Sequence, residues 1–397
     1  MTGLLWLLLP IAAASGWIAA RRSGRRISRT PRGTLSEDYI KGLNFLLNEQ
    51  SDRALEVFIQ MVDVDADTVE THLILGSLFR RRGEVDRAIR IHQNLIARPN
   101  LEPAQRANAL MELGRDYMRA GVLDRAEGLF RELINTGYQR AEGYARLRDL
   151  YEQEKEWEKA IWAAEHLGGH TTDSQSVRIA HYCCELGEQA ARNGDPSSAA
   201  RHARRALAND RDSVRASILL GDLAVEGGDD RRALKHYAHV ADQHPDFACL
   251  VLERVRELHG RLGDAAGYER FLAQLSRRDN SLATLLARLE ALRGQGRQAE
   301  LDDLLNKELV RERVALPVLQ VFLRHWSGRV EDAEAGDVLN RASHVLERYL
   351  EQRPVYRCMN CGFSVRTHLW HCPGCHQWST IKPRELHVER PQTALSH

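Results

Sequence analysis

The sequence predicts an all-α protein, a superhelix of paired antiparallel helices with a small metal-binding module at its carboxyl end and one apolar helix at its amino end. Three observations point there. A small residue followed twelve positions later by alanine recurs with a period near 34 residues. The composition favours helix, with aromatics at only 6% of the chain. Two Cys-x-x-Cys pairs close the sequence, Cys358 with Cys361 and Cys372 with Cys375.

The amino terminus comes first. Residues 1–20 carry no charged side chain, and as helix they would extend about 30 Å, the thickness of a bilayer core. Arg21, Arg22, Arg25, Arg26, Arg29 and Arg32 follow, with no acidic residue before Glu37. A secretory signal places its positive charge ahead of the apolar run. Here the charge lies behind, which predicts a single transmembrane anchor with the amino terminus outside and the bulk of the chain in the cytoplasm. Cleavage after the alanines at 12–14 is the competing reading. Anionic headgroups already account for the arginines, so a nucleic-acid patch is not needed to explain them. The near balance of 56 basic and 55 acidic side chains likewise gives no global field for a polyanion.

The middle of the chain repeats. The pairs are Gly42 with Ala54, Gly76 with Ala88, Gly114 with Ala126, Gly187 with Ala199 and Gly221 with Ala233. Arg148 with Ala160 keeps the spacing without the small first residue. Turn segments such as 82–86 and 120–124 interrupt the helices. This is the pattern of a tetratricopeptide-repeat superhelix, expected over residues 37–352 in about eight to nine units. Residues 262–268 and 294–299 mark degenerate late units, and 315–350 one or two closing helices. No Ser-His-Asp order, phosphate loop or paired-carboxylate motif is present in the array, so no catalytic residue is assigned and the protein is not read as an enzyme.

By repeat geometry the first helix of each unit lines a groove. Unit one would offer Tyr39, Leu43, Leu46 and Leu47; unit two Leu73, Arg80 and Arg81; unit three Met111, Arg115 and Met118. An apolar lane edged with arginine suits an amphipathic or acidic-flanked peptide. Packing of the same side chains within the superhelix is the alternative for each.

The terminal module, residues 353–384, places two pairs of thiolates where they can share one tetrahedral ion, and the roughly thirty residues around them need that ion to fold. Zinc is favoured on spacing, and iron accepts the same ligands. Two disulfides, or four unrelated thiols, are the alternative. Gly362 can take the left-handed backbone that a metal knuckle uses. Tyr356, Phe363, Trp370 and Trp378 are read as a cover for the metal, His371 and His376 as flanking groups, and 385–397 as a polar tail. Cys183, Cys184 and Cys249 fall inside helical patterns, as buried free thiols of a reducing compartment do.

Taken together, the segments Gly76–His92, Leu113–Met118, Tyr356–Phe363, Trp370–Cys375 and Trp378–Pro383, with the apolar start, resemble the lipopolysaccharide assembly protein B family of Gram-negative bacteria over nearly the full length. The resemblance implies an inner-membrane adaptor facing the cytoplasm, whose rubredoxin-like, zinc-ribbon-type terminal domain packs on the repeats. It further implies that the adaptor promotes degradation of the lipid A-pathway deacetylase by a membrane-anchored ATP-dependent zinc protease. A periplasmic-domain membrane regulator and lipopolysaccharide assembly proteins are the other implied partners, with no nucleic acid. A homodimer is one option for its assembled state. The metal ligands it implies are Cys358, Cys361, Cys372 and Cys375. Only ten residues separate the knuckles, and His376 stands where a glycine is usual; both departures argue against electron transfer. A rubredoxin-like redox carrier and a zinc-ribbon nucleic-acid binder are the alternatives.

Overall fold

The computed structural model describes residues 40–42, 44, 45, 50, 53, 54, 57, 69–168, 175–278, 281–384 and 387–389. The apolar stretch 1–20, the basic linker 21–36, and Tyr39, Leu43, Leu46 and Leu47 lie outside the described residues. Among the described residues, no helix is long and apolar enough to cross a membrane. The chain divides into two compact units, residues 1–139 and 140–397.

The first unit contains α1 (Val69–Arg81), α2 (Val85–Ile96), α3 (Pro103–Ala120) and α4 (Leu123–Asn135). The turns fall where the sequence placed them. Gly121 ends α3 at φ 75° and donates its N–H to the Met118 carbonyl at 3.1 Å, a left-handed stop that a side chain would strain. The alanines of the repeat, Ala88 and Ala126, are fully buried. The glycines have a more specific role than close approach of two helices. A Cβ on Gly76 would lie 2.4 Å from His92 Nε2, and one on Gly114 would lie 2.4 Å from Phe130 Cε1. The second helix of each unit thus projects a ring into the gap left on the first. His92 is held there by Asp116 Oδ2 at 2.5 Å from its Nδ1. The other carboxylate oxygen of Asp116 accepts from Arg80 at 2.8 Å, so the buried carboxylate is paired on both sides.

The second unit continues the pairing through α5 (Arg140–Glu154), α6 (Trp157–Gly168), α7 (Ser176–Arg192), α8 (Pro196–Asn209), α9 (Val214–Glu226) and α10 (Asp230–Gln243). A 3-10 turn, Pro245–Leu250, precedes α11 (Leu252–Leu262), α12 (Ala265–Arg278), α13 (Leu282–Gly294) and α14 (Gln298–Leu309). The late, degenerate units are therefore real helix pairs. Asp195 and Asp229 cap α8 and α10 by accepting from the backbone of Ser198 and Arg232. Gly221 receives the Tyr237 ring, 2.3 Å from where a Cβ would be. Gly187 has Ala203 in place of a ring, and Leu219 from the next unit fills the gap. Val240, Val251, Val255, Leu258, Leu272 and Leu275 form the core of the later repeats.

A short strand, β1 (Arg313–Ala315), then leads into the closing helices α15 (Leu316–Ser327) and α16 (Ala333–Glu351). The module supplies β2 (Tyr356–Cys358), β3 (Ser364–Val365) and β4 (Ile381–Pro383), an antiparallel sheet in the order β3-β2-β4. Beyond it, β5 (His387–Glu389) pairs antiparallel with β1, Val314 opposite Val388. Three residues of the expected polar tail thus form a strand whose backbone pairs with that of β1, and a three-residue strand is too short for sequence alternation to register. Cys183 and Cys184 are buried in α7, whereas Cys249 sits in the 3-10 turn rather than an α-helix.

Gly114→Ala should destabilise the protein by about 1–3 kcal/mol, because the clash with Phe130 outweighs the helical gain of up to about 1 kcal/mol. Gly128→Ala, on an exposed site of α4 with open space around it, should instead stabilise by about 0.5–1 kcal/mol. Urea denaturation of the two variants checks both signs.

Candidate metal centre

Each Cys-x-x-Cys segment folds into the same knuckle. In the first, Cys358 N–H donates to the Phe363 carbonyl at 2.7 Å and Gly362 N–H to the Cys358 carbonyl at 3.0 Å. In the second, Cys372 N–H donates to Gln377 at 3.0 Å and His376 N–H to Cys372 at 2.8 Å. Gly362 has φ 80° and His376, its counterpart, φ 54°. The second knuckle therefore holds a side chain in the left-handed region, which costs roughly 1–2 kcal/mol that the rest of the fold must offset. The sheet ties the two knuckles together, because β2 enters the first and pairs with β4, which follows the second, Cys358 opposite Ile381.

The four sulfurs converge. Cys358 Sγ lies 3.7 Å from Cys375 Sγ, Cys361 Sγ lies 3.6 Å from Cys372 Sγ, and all four are within 4.8 Å of one another. Four thiolates about 2.3 Å from a tetrahedral ion would be about 3.8 Å apart, so the geometry fits one metal and is too open for disulfides. Burial raises the Cys358 thiol, but the Thr380 hydroxyl and the N–H groups of Cys361 and Asn360 win and bring it down to about 6. Cys361 is pulled down by the Phe363 N–H, yet lost hydration and the neighbouring sulfurs push it up to about 12. Cys375 is also lowered, chiefly by a hydrogen bond from the Asn360 side chain, so thiolates form readily on both knuckles while Cys361 resists a further negative charge beside them. A divalent cation relieves that conflict, and the donor set suits zinc. Cys358, Cys361, Cys372 and Cys375 form a zinc-ribbon-type metal site, with Cys358 and Cys372 buried and Cys361 exposed.

Beside the knuckles, the module rests on the first helices of successive repeats. Trp378 stacks on His181 with ring centroids 4.7 Å apart, meets Tyr182 edge-on at 6.0 Å, and has the Arg215 guanidinium 5.8 Å from its centroid. Its indole N–H donates to Glu152 Oε1 at 3.2 Å. His371 Nε2 lies 3.0 Å from the same oxygen, and Tyr182 O–H donates to Glu152 Oε2 at 2.5 Å. Ser379 Oγ is 2.8 Å from His181 Nε2, Trp370 lies 5.5 Å from Phe247, and Lys382 pairs with Asp246 at 2.5 Å. This corrects the reading of Trp370 and Trp378 as a cover for the metal. The aromatic that packs with the cysteines is Tyr356, while the tryptophans seat the module on α5, α7, α9 and the 3-10 turn. His371 Nε2 is turned to Glu152, and the four sulfurs complete the ligand set without it.

The groove residues divide. Tyr39 and Leu43 lie outside the described residues. Met111 is 3% exposed, which corrects its assignment to a partner surface: it belongs to the core. Leu73 packs against Val69, Leu95 and Ala109. Arg80 is spent on Glu112 and Asp116, and Arg115 pairs with Glu112 at 2.6 Å. Met118 is half-buried and Arg81 exposed. Sequence reasoning missed Glu152 altogether, since it stands among other acidic residues, Glu154 and Glu156, that nothing in the sequence separates from it. A better signal was available in the aromatic and histidine pair His181–Tyr182 on a first helix.

A repeat array carrying a four-cysteine knuckle module defines the class of protein. Comparison with known families agrees: the rubredoxin metal binding domain model matches residues 356–383, and tetratricopeptide-repeat models match 71–104 and 184–246. The chain is 36% identical to lipopolysaccharide assembly protein B of Escherichia coli K12 over 386 residues, covering 96% of this chain and 98% of that protein. It is 34% identical to the protein of the same name from Haemophilus influenzae, with the same coverage. The chain belongs to the lipopolysaccharide assembly protein B family. Among solved structures, the C-terminal part of a repeat protein from Cytophaga hutchinsonii shares 13% identity at a TM-score of 0.42, covering 62% of this chain and 98% of that one. MamA shares 22% at 0.29, covering 43% and 94%.

Docking should weaken in acid. Burial, then Arg215 and neighbouring cationic groups, hold His181 down to about 3, and burial holds His368 down to about 4. Both are neutral when the module is seated, while the freed histidines take a proton below about 6.5. The stabilisation is complete above that value and falls as pH drops toward 4, by roughly 2 kcal/mol at pH 5 from His181 alone. Denaturation between pH 7 and pH 5 should show a flatter profile for His181→Gln than for the parent protein.

Proposed function

We propose that this protein is a non-enzymatic adaptor in lipopolysaccharide assembly, held at the inner membrane by residues 1–20 with its repeats on the cytoplasmic side. In this reading it promotes degradation of the lipid A-pathway deacetylase by a membrane-anchored ATP-dependent zinc protease. The periplasmic-domain membrane regulator and the lipopolysaccharide assembly proteins supply the other contacts. The observation that supports it best is the relationship to lipopolysaccharide assembly protein B over 96% of the chain, metal module included. The geometry adds a mechanism of assembly. The metal folds the knuckles, the knuckles aim Trp378, Ser379 and His371 at the repeats, and the seated module becomes part of one adaptor surface. The anchor would raise the effective concentration of protease and client by keeping all three at one membrane. With α5, α7 and α9 already engaged by the module, the first helices of the earlier repeats, with Arg81 and Met118 among their residues, are the better candidates for client contact. The structural role of the ion, with zinc preferred over iron, follows from a site that serves to place docking residues.

The test is the half-life of the deacetylase in cells whose protein synthesis is blocked. Depletion of this protein should prolong it several-fold. Wild type should restore it, Cys358→Ser with Cys361→Ser should fail, and Trp378→Ala should fail while still binding metal. An unchanged half-life on depletion would refute the adaptor reading.

A further inference from the structure

The second helices α8 and α10 carry a positive face on a chain whose charges otherwise nearly balance. α8 has no carboxylate along its length, and its exposed Arg201 and Arg204 stand on one side of the helix. On α10 the exposed Arg231, Arg232 and Lys235 recur at helical spacing. None of these five cations has an ionic partner among the described residues. The carboxylates of α10 are occupied: Asp230 pairs with Arg261 of α11 at 3.0 Å, and Asp242 pairs with Arg278 of α12. Asp195 and Asp229 accept backbone N–H groups as caps. Arg205, beside the face, is held by Glu158 and Glu165 of α6 at 3.3 and 3.5 Å. Burial, then the charges of Arg232, His239 and Arg204, lower the pKa of His236, so this half-buried ring on α10 feels the cations of both helices.

We propose that this face docks on the anionic headgroups of the bilayer that holds the chain, an inference that rests on the membrane placement proposed above. Two features favour a lipid surface over an acidic protein. No large apolar side chain from 178 to 261 is exposed, whereas protein interfaces are built around aromatic and aliphatic anchors. A headgroup surface needs only charge, and each cation close to it raises partition by about fivefold. The second feature is the tether. It keeps the face at a high effective concentration beside the bilayer, so a patch of five cations suffices where a free protein would need more. In repeat geometry the second helices form the outer side of the superhelix. Docking through α8 and α10 therefore leaves the first helices, and the module seated on them, turned away from the lipid.

The test uses the full chain with vesicles of phosphatidylcholine, alone or mixed with phosphatidylglycerol. Reductive methylation with formaldehyde, a neutral reagent, is followed at Lys235 and Lys155 by peptide mass spectrometry. Lys155, exposed between Glu154 and Glu156, is the control. Lys235 should react at least about threefold more slowly with the anionic vesicles than with the neutral ones, while Lys155 reacts equally with both. Salt at about 1 M, where the Debye length is about 3 Å, should abolish the difference. Arg204→Glu with Arg232→Glu should abolish it too, read as the same ratio of rates. Equal rates at Lys235 in the two lipids, equal slowing at Lys155, or a slowing that survives salt and charge reversal would each overturn the proposal. Slowing by soluble polyglutamate without slowing by anionic vesicles would also overturn it, and would assign the face to an acidic protein. Flotation with the neutral vesicles tests the anchor separately. A chain that fails to float refutes residues 1–20 as the tether, and the ratio at Lys235 still decides the face.

Discussion

The Glu152 carboxylate joins the two halves of the second unit's architecture. A carboxylate with only 9% of its side chain exposed is costly unless its oxygens are occupied. Here they are: Tyr182 and Trp378 donate to it, Arg178 pairs with it at 3.6 Å, and His371 Nε2 lies 3.0 Å away. Burial would raise its pKa, yet these neighbours together lower it. Two of the four come from the repeats and two from the metal module. An undocked module would leave Glu152 half-satisfied and Trp378 in water. The repeats and the module therefore stabilise each other, and exposed pairs such as Lys382 with Asp246 add little to that.

The metal acts on this contact at a distance of a few residues. His371 immediately precedes a ligand, and Trp378 and Ser379 follow Cys375 within a turn. His376 at φ 54° and Ser379 at φ 55° both hold left-handed backbone that non-glycine residues avoid. The knuckle geometry imposes those conformations, and the ion in turn holds the knuckle. A lost metal thus releases the strained segment that presents the docking side chains. Behind them, Arg215 is buried and bound by Glu185 and Glu188 at 2.7 Å, which fixes the cation under the Trp378 ring.

Much of this was legible beforehand. The spacing of glycine and alanine located the helix pairs, because a site that must accept a neighbouring helix tolerates few residue types. The cysteines gave the ligand set, because no other role requires two such knuckles. What the spacing did not reveal was the partner of three of these glycines, the ring sixteen positions later at His92, Phe130 and Tyr237. The seat of the module was also hidden, since Glu152, His181 and Trp378 are separated by long stretches of chain and meet only in three dimensions. Met111 was misplaced because successive residues of a helix are turned by about 100° from one another, so one position of error moves a side chain from groove to core. The strand pair of β1 and β5 was too short to leave a pattern.

The central claim is that the ion folds the module and the folded module is seated on α5, α7 and α9. Hydrogen exchange of the full chain, before and after chelation, measures this directly. On metal removal, residues 356–383 should lose protection throughout, and the amides of α7 around His181 and Tyr182 should exchange faster while α13 and α14 stay as they were. A module that keeps its protection without metal, or an α7 indifferent to its loss, would contradict the account.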